Sequence, residues 1–241
     1  STLISTLKNN QQNFHPIVPF NPQTEKLFPF DFTENNKELT ADQIADTEKF
    51  SQYINAQLKK HSCKYGIGGY NEHRTLYSRS KHFDSSPLSA RKGDGGEAEV
   101  EPRRLHLGTD IWGEAGTKIM SPLNGIVHSF AFNNNDSDYG ATIILTHNID
   151  GISFYTLYGH LSLNSIKNLH AGKRISAGDV FTEFGMRFEN GNWPSHLHFQ
   201  IIADMENRQG DHPGVCKFSE REKWLQNSPD PDLILQLNQY I

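Results

Sequence analysis

The chain has 241 residues, enough for one full core with an appendage or at most two small domains. Its 28 acidic and 23 basic residues give a formal net charge of −5. The nearest approach to a basic cluster, Arg103-Arg104, is too short for a nucleic-acid footprint, and no stretch reaches the roughly 18 apolar residues of a membrane span. Ser1-Thr2-Leu3-Ile4-Ser5 lacks the charged and apolar regions of a secretion signal, which favours the cytoplasm, or a periplasmic or extracellular location if a leader has been removed.

Residues 1–38 are polar and proline-rich but carry Phe14, Phe20, Phe28, Phe30 and Phe32, which predicts an extended arm docked by its aromatic rings. Thr40-Ala41-Asp42-Gln43 is a capping box, and Ile44, Thr47, Ser51, Ile54 and Leu58 follow at helical spacing, so one helix is expected from Thr40 to near His61. Gly66-Ile67-Gly68-Gly69-Tyr70 is expected to interrupt regular structure, and the glycine-rich, charged run Arg91–Glu97 to form a loop able to gate a cleft. From Leu105 to about Ala203 short segments rich in β-branched and aromatic residues alternate with turn signals such as Asp150-Gly151 and Ala177-Gly178-Asp179. A short helix near Glu220–Leu225 and a last one starting at Pro231, capped by Asp230, close the chain.

The expected fold class is therefore mainly β with peripheral helices (α+β), an antiparallel sheet or sandwich core preceded by an N-terminal helical and irregular region. The expected division is 1–100 for the arm, helix and loop, 101–210 for the β core and 211–241 for a helical tail. Cys63 and Cys216 could form one disulfide, but free thiols are the expected state, and neither has a Cys or His at zinc-finger spacing.

Two short motifs carry the chemistry. His106-Leu107-Gly108-Thr109-Asp110 places an imidazole and a carboxylate four residues apart, with Gly108 allowing the backbone to bend. His196-Leu197-His198 on a strand puts two imidazoles on one face, with Gln200 beside them and Leu197, Phe199 and Ile201 toward the core. Together they can hold one zinc ion with three protein groups, leaving open the position that a structural site would close. Either His196 or His198 can bind the metal while the other faces substrate. His160, beside Gly159 at a strand end, is placed to enter the same cleft. The remaining histidines, 15, 61, 73, 82, 128, 147, 170 and 212, read as structural or surface groups.

His106-x-x-x-Asp110, Tyr158-Gly159-His160 and His196-x-His198, with Ser121-Pro122-x-x-Gly125-x-Val127 and Ala171-Gly172-Lys173 between them, resemble the lysostaphin-like zinc metallopeptidases over residues 103–203. The resemblance implies a duplicated hybrid-motif β fold with Zn2+ in a groove. It implies His106, Asp110 and His198 as the metal ligands, and His160 and His196 as catalytic residues. The implied reaction is cleavage of a peptide or peptidoglycan stem cross-link by zinc-activated water. The flanks around Asn190–Pro194 and Asp211–Val215 are similar to a branch joined to cytoplasmic enzyme modules, which puts the cell wall in question. Some relatives are latent, closing the zinc with an N-terminal asparagine, for which Asn71 is the candidate; Glu72 and Arg74 form a structural ion pair in the plainer reading. A non-catalytic binding module would normally lose ligands, and all five positions are present. A carrier domain of the lipoyl type would not explain Asp110 or the histidine pair.

Overall fold

The computed structural model describes residues 2–84 and 101–241; the run Arg91–Glu97 lies outside them. A short helix α1 (Leu3–Asn9), opened by a Thr2–Ser5 capping box, precedes strand β1 (Leu27–Phe30). The Thr40 capping box is formed, but it opens only α2 (Ala41–Ala45). Asp46 leaves the helical conformation and caps α3 (Thr47–His61) by accepting from the Glu48 and Lys49 amides, so the expected single helix is two.

The glycine-rich run is the second difference. Tyr65–Gly68 is a buried strand, β2, because its period of two suits a sheet with a crowded face. Tyr65 and Ile67 enter the main core, while a Cβ at Gly66 would lie 2.0 Å from the Phe30 ring and one at Gly68 2.7 Å from Arg74 Nη2.

The remaining strands are β3 (Arg103–His106), β4 (Thr109–Trp112), β5 (Lys118–Met120), β6 (Gly125–Asn133), β7 (Gly140–Ile149), β8 (Ile152–Leu161), β9 (Arg174–Ile175), β10 (Val180–Glu183), β11 (His196–Ile202) and β12 (Val215–Lys217). Eight strands form one sheet in the order β1-β2-β4-β11-β8-β7-β6-β9. It is antiparallel except for the parallel pair β1–β2, so the class is α+β with a mixed main sheet. The pairs β5–β10 and β3–β12 stand beside it. Helices α4 (Arg221–Asn227) and α5 (Asp232–Leu235) end the chain, and Asp230 accepts from the Asp232 amide as expected of a cap. No helix among the described residues is long and apolar enough to cross a membrane. Both cysteines are free.

The two faces of the sheet do different work. Ile67, Ile111, Leu197, Phe199 and Ile201 point into the larger core with Leu7, Ile234 and Leu235. On the other face Trp112 packs with Phe32, Phe50, Tyr77 and Trp193 in a second, aromatic cluster supplied largely by the N-terminal region. Asp110 of β4 and His196, His198 and Gln200 of β11 lie on this second face.

Candidate metal centre and active site

Strand register brings the two motifs together. His198 is directly opposite Asp110 across β11–β4 and opposite Gly159 across β11–β8; His196 is opposite Trp112. The chain turns between β3 and β4 at Leu107-Gly108, which folds His106 back onto Asp110. Gly108 is required there because an added Cβ would lie 2.5 Å from the His198 ring. The resulting triangle has edges of 3.0 Å (His106 Nε2 to His198 Nδ1), 3.1 Å (His198 Nδ1 to Asp110 Oδ1) and 3.3 Å (His106 Nε2 to Asp110 Oδ1). Ligands about 2.0–2.1 Å from a tetrahedral zinc ion stand about 3.3 Å from one another, so these three residues fit that ion.

Each ligand is held from behind. His106 Nδ1 donates to the Gly69 carbonyl at 2.9 Å, leaving the Nε2 lone pair for the triangle. His198 Nε2 donates to Gln200 Oε1 at 3.0 Å, and the Gln200 amide donates to Ser228 Oγ and the Pro213 carbonyl. Asp110 Oδ2 accepts from Arg74 Nη1 at 2.5 Å, and Arg74 Nε donates to Glu72 at 2.7 Å. The expected Glu72–Arg74 pair is therefore present and extends to the candidate ligand itself. The Asn71 side chain accepts from Arg221 Nε instead of facing the triangle.

His160 and His196 complete the group, their rings 4.1 Å apart. His196 stacks on Trp112 at 3.9 Å, and its Nδ1 donates to the Pro194 carbonyl at 2.8 Å. His160 Nδ1 donates to the Asn190 carbonyl at 2.8 Å. His160 adopts the left-handed conformation (φ 63°), held by its amide on the Tyr139 carbonyl and by the Gly185 amide on its own carbonyl. Both histidines thus present Nε2 away from their anchoring bonds.

Burial governs the protonation states. It pushes His106 and His196 down to about 4, with Arg74 reinforcing the shift at His106. His160 is lowered further still by burial and by His196. Burial alone would raise Asp110, but His106 and Arg74 outweigh it and hold the carboxyl well below its ordinary range. At neutral pH His106, His160 and His196 are neutral imidazoles beside a carboxylate, and a carboxylate with imidazole lone pairs suits a dication.

The site is closed. His106, Asp110, His196 and His198 are at most 3% exposed and His160 6%. The space between His160, His196 and Trp193 is about 20 Å3, roughly one water molecule. A larger cleft of about 190 Å3, bordered by Arg103, Asp138, Tyr139 and Arg208, adjoins it and is also lined by His160 and His198. Tyr77, His160, Trp193 and His198 line both spaces. Sequence reasoning missed Arg74 as a partner of the site, and also Trp112, Tyr139 and Trp193. Gln200 was visible only as the next residue on the face of His196 and His198.

A β sheet that presents two histidines and an aspartate as an open-sided metal triangle, with two further neutral histidines alongside, defines the class of a metal-dependent hydrolase domain. The family model described as Peptidase family M23 matches residues 104–210, which include all five residues. The matched segment is the one over which the motif resemblance runs, so the chain is similar to M23 peptidases there. Among solved structures it is similar to the catalytic domain of the antimicrobial peptidase lysostaphin from Staphylococcus simulans, at 20% identity over 77% of this chain and 97% of that one (TM-score 0.39). It is similar to the catalytic domain of the prophage-encoded M23 protein EnpA from Enterococcus faecalis, at 20% identity over 52% and 83% (TM-score 0.35). A zinc-containing peptidase from Vibrio cholerae matches at 22% identity over 49% of this chain but only 30% of its own (TM-score 0.33). No curated protein matches the chain.

Proposed function

We propose that the protein is a zinc-dependent endopeptidase for short, glycine-rich or otherwise unhindered peptides, of which bacterial cell-wall cross-links are the leading case. The observation that carries this reading is the convergence of His106 Nε2, Asp110 Oδ1 and His198 Nδ1 beside two further neutral histidines. Zinc held by those three residues supplies Lewis acidity, polarising a carbonyl and acidifying water at the site. His196 and His160, with their Nδ1 protons committed to backbone carbonyls, accept a proton at Nε2 and return it to the leaving nitrogen. Their low proton affinity keeps both in the accepting form at neutral pH. The substrate class rests on the motif resemblance. The test is incubation of zinc-loaded protein with oligoglycine-bridged peptides and purified peptidoglycan, scored by new amino termini. Cleavage lost with a chelator and in His196→Ala and His160→Ala supports the reading; none under any metal loading contradicts it.

The narrow space beside His196 supports a refinement in which the conformation described is latent. The space beside His196 and Trp112 holds about one water, so for a peptide to reach His196 on that side the 3-10 segment Thr75–Arg79, which carries Tyr77, moves aside; the wider cleft reaches His160 and His198 from the other side.

A further inference from the structure

We infer that Arg74 is a positioning residue of the metal centre, supplied from outside the family-matched segment, which holds Asp110 as a one-oxygen ligand. The inference rests on the metal-binding reading proposed above. Asp110 divides its carboxylate: Oδ1 closes the triangle with His106 and His198, and Oδ2 is taken by Arg74 Nη1 at 2.5 Å. A carboxylate free to chelate through both oxygens would occupy the coordination position that catalysis needs open. A lysine could neutralise the charge, but the planar guanidinium also fixes its direction. Glu72 holds Nε at 2.7 Å, and the Gly69 carbonyl accepts weakly from Nη2 at 3.4 Å. That same carbonyl accepts from His106 Nδ1, so one peptide unit orients the imidazole and steadies the guanidinium that orients the carboxylate. Gly68 lacks the Cβ that would collide with Nη2, and β2 pairs Gly68 with Asp110, so the strand leaves room for the guanidinium beside the carboxylate, while the Arg74 amide is fixed on the Arg104 carbonyl. Arg74 is 1% exposed, so solvent cannot substitute for its hydrogen bonds.

The experiment uses the full chain with Arg74→Gln, Arg74→Lys and Glu72→Gln. It reads metal affinity by chelator competition and the visible absorption of the cobalt(II)-substituted protein, with near-UV circular dichroism as the control for folding. In Arg74→Gln affinity falls tenfold or more, on the order seen when a ligand's supporting residue is removed. Its cobalt bands lose intensity as Asp110 rotates to offer both oxygens. Arg74→Lys recovers part of the affinity but not the spectrum. A folded Arg74→Gln with wild-type affinity and spectrum overturns the inference and leaves Arg74 a core ion pair. If Arg74→Gln does not fold, Glu72→Gln decides: a smaller change of the same kind supports the inference, and none overturns it. Failure of the wild type to take up metal is seen in the wild-type arm alone and overturns the underlying reading together with the inference.

Discussion

Gly108 shows how one residue ties backbone to chemistry: a methyl group there would press on the His198 ring at 2.5 Å and on the Phe199 carbonyl at 2.7 Å. Gly108→Ala is expected to cost about 1–3 kcal/mol of stability through overpacking and to displace His198 from the triangle. Metal content measured on folded protein checks this, and an alanine variant with full metal occupancy contradicts it. A second expectation concerns His147, which lies away from the triangle, 2% exposed and bonded to the Asn124 carbonyl and Thr156 Oγ1. Burial lowers it to about 4 from an unfolded value near 6.5. Because the folded value is the lower one, its contribution is complete above about pH 6.5 and is lost as pH falls through about 4, on the order of 3 kcal/mol in all. His212 is lowered to about 4 by burial and by Arg208, and acts in the same direction. The urea midpoint should therefore drop between pH 6.5 and pH 4; a flat midpoint across that window contradicts the assignment. At this scale the candidate ligands were legible because His-x-x-x-Asp and His-x-His are short-range patterns. Arg74 was not, because its partner Asp110 is 36 residues away and no local spacing marks the pair.

Elements were legible where local pattern and packing agree. The strands over 125–161 and the alternation in His196–Ile201 follow the period-two rule and match the structure. Others were hidden, among them α1 and β1 within the expected extended arm. Asp46 breaks the helical run because its carboxylate caps α3, although the apolar spacing continues through it. β2 looked like a breaker because its glycines answer to Phe30 and Arg74, neighbours that only the tertiary fold supplies. The segment Thr75–Arg79 yields the functional prediction at this scale. Tyr77 packs on Phe83 at 4.6 Å and edge-on to Trp193 at 6.3 Å, and Arg79 lies over Trp193 at 4.5 Å, so the segment is pinned across the chamber. Tyr77→Ala is expected to raise kcat/KM for a short peptide several-fold while lowering stability by about 3–5 kcal/mol, as for other buried aromatic truncations. Peptide-cleavage kinetics beside thermal unfolding read both effects, and a less stable variant with unchanged or lower kcat/KM argues against the segment as a cover.

At the scale of the whole molecule, the first hundred residues are not a detachable arm, because β1 and β2 extend the sheet that carries the site. The same region roofs Trp112 with aromatic rings and sends Gly69 and Arg74 into the metal triangle. A chain beginning at residue 101 is expected to be poorly soluble and metal-poor, since it uncovers Trp112 and leaves Asp110 and His106 without their supports. Gel filtration and elemental analysis of that fragment check this; a monodisperse fragment with full metal occupancy contradicts it. The central claim, that His106, Asp110 and His198 form a metal centre, is tested most directly by elemental analysis of protein purified without added metal, beside Asp110→Asn. In that variant the amide oxygen can still accept from Arg74, while its NH2 group offers no lone pair to an ion. One zinc per wild-type chain, lost in Asp110→Asn with the fold intact, is the predicted result. A wild type that stays metal-free even after incubation with zinc, or a variant that keeps its metal, would contradict the account.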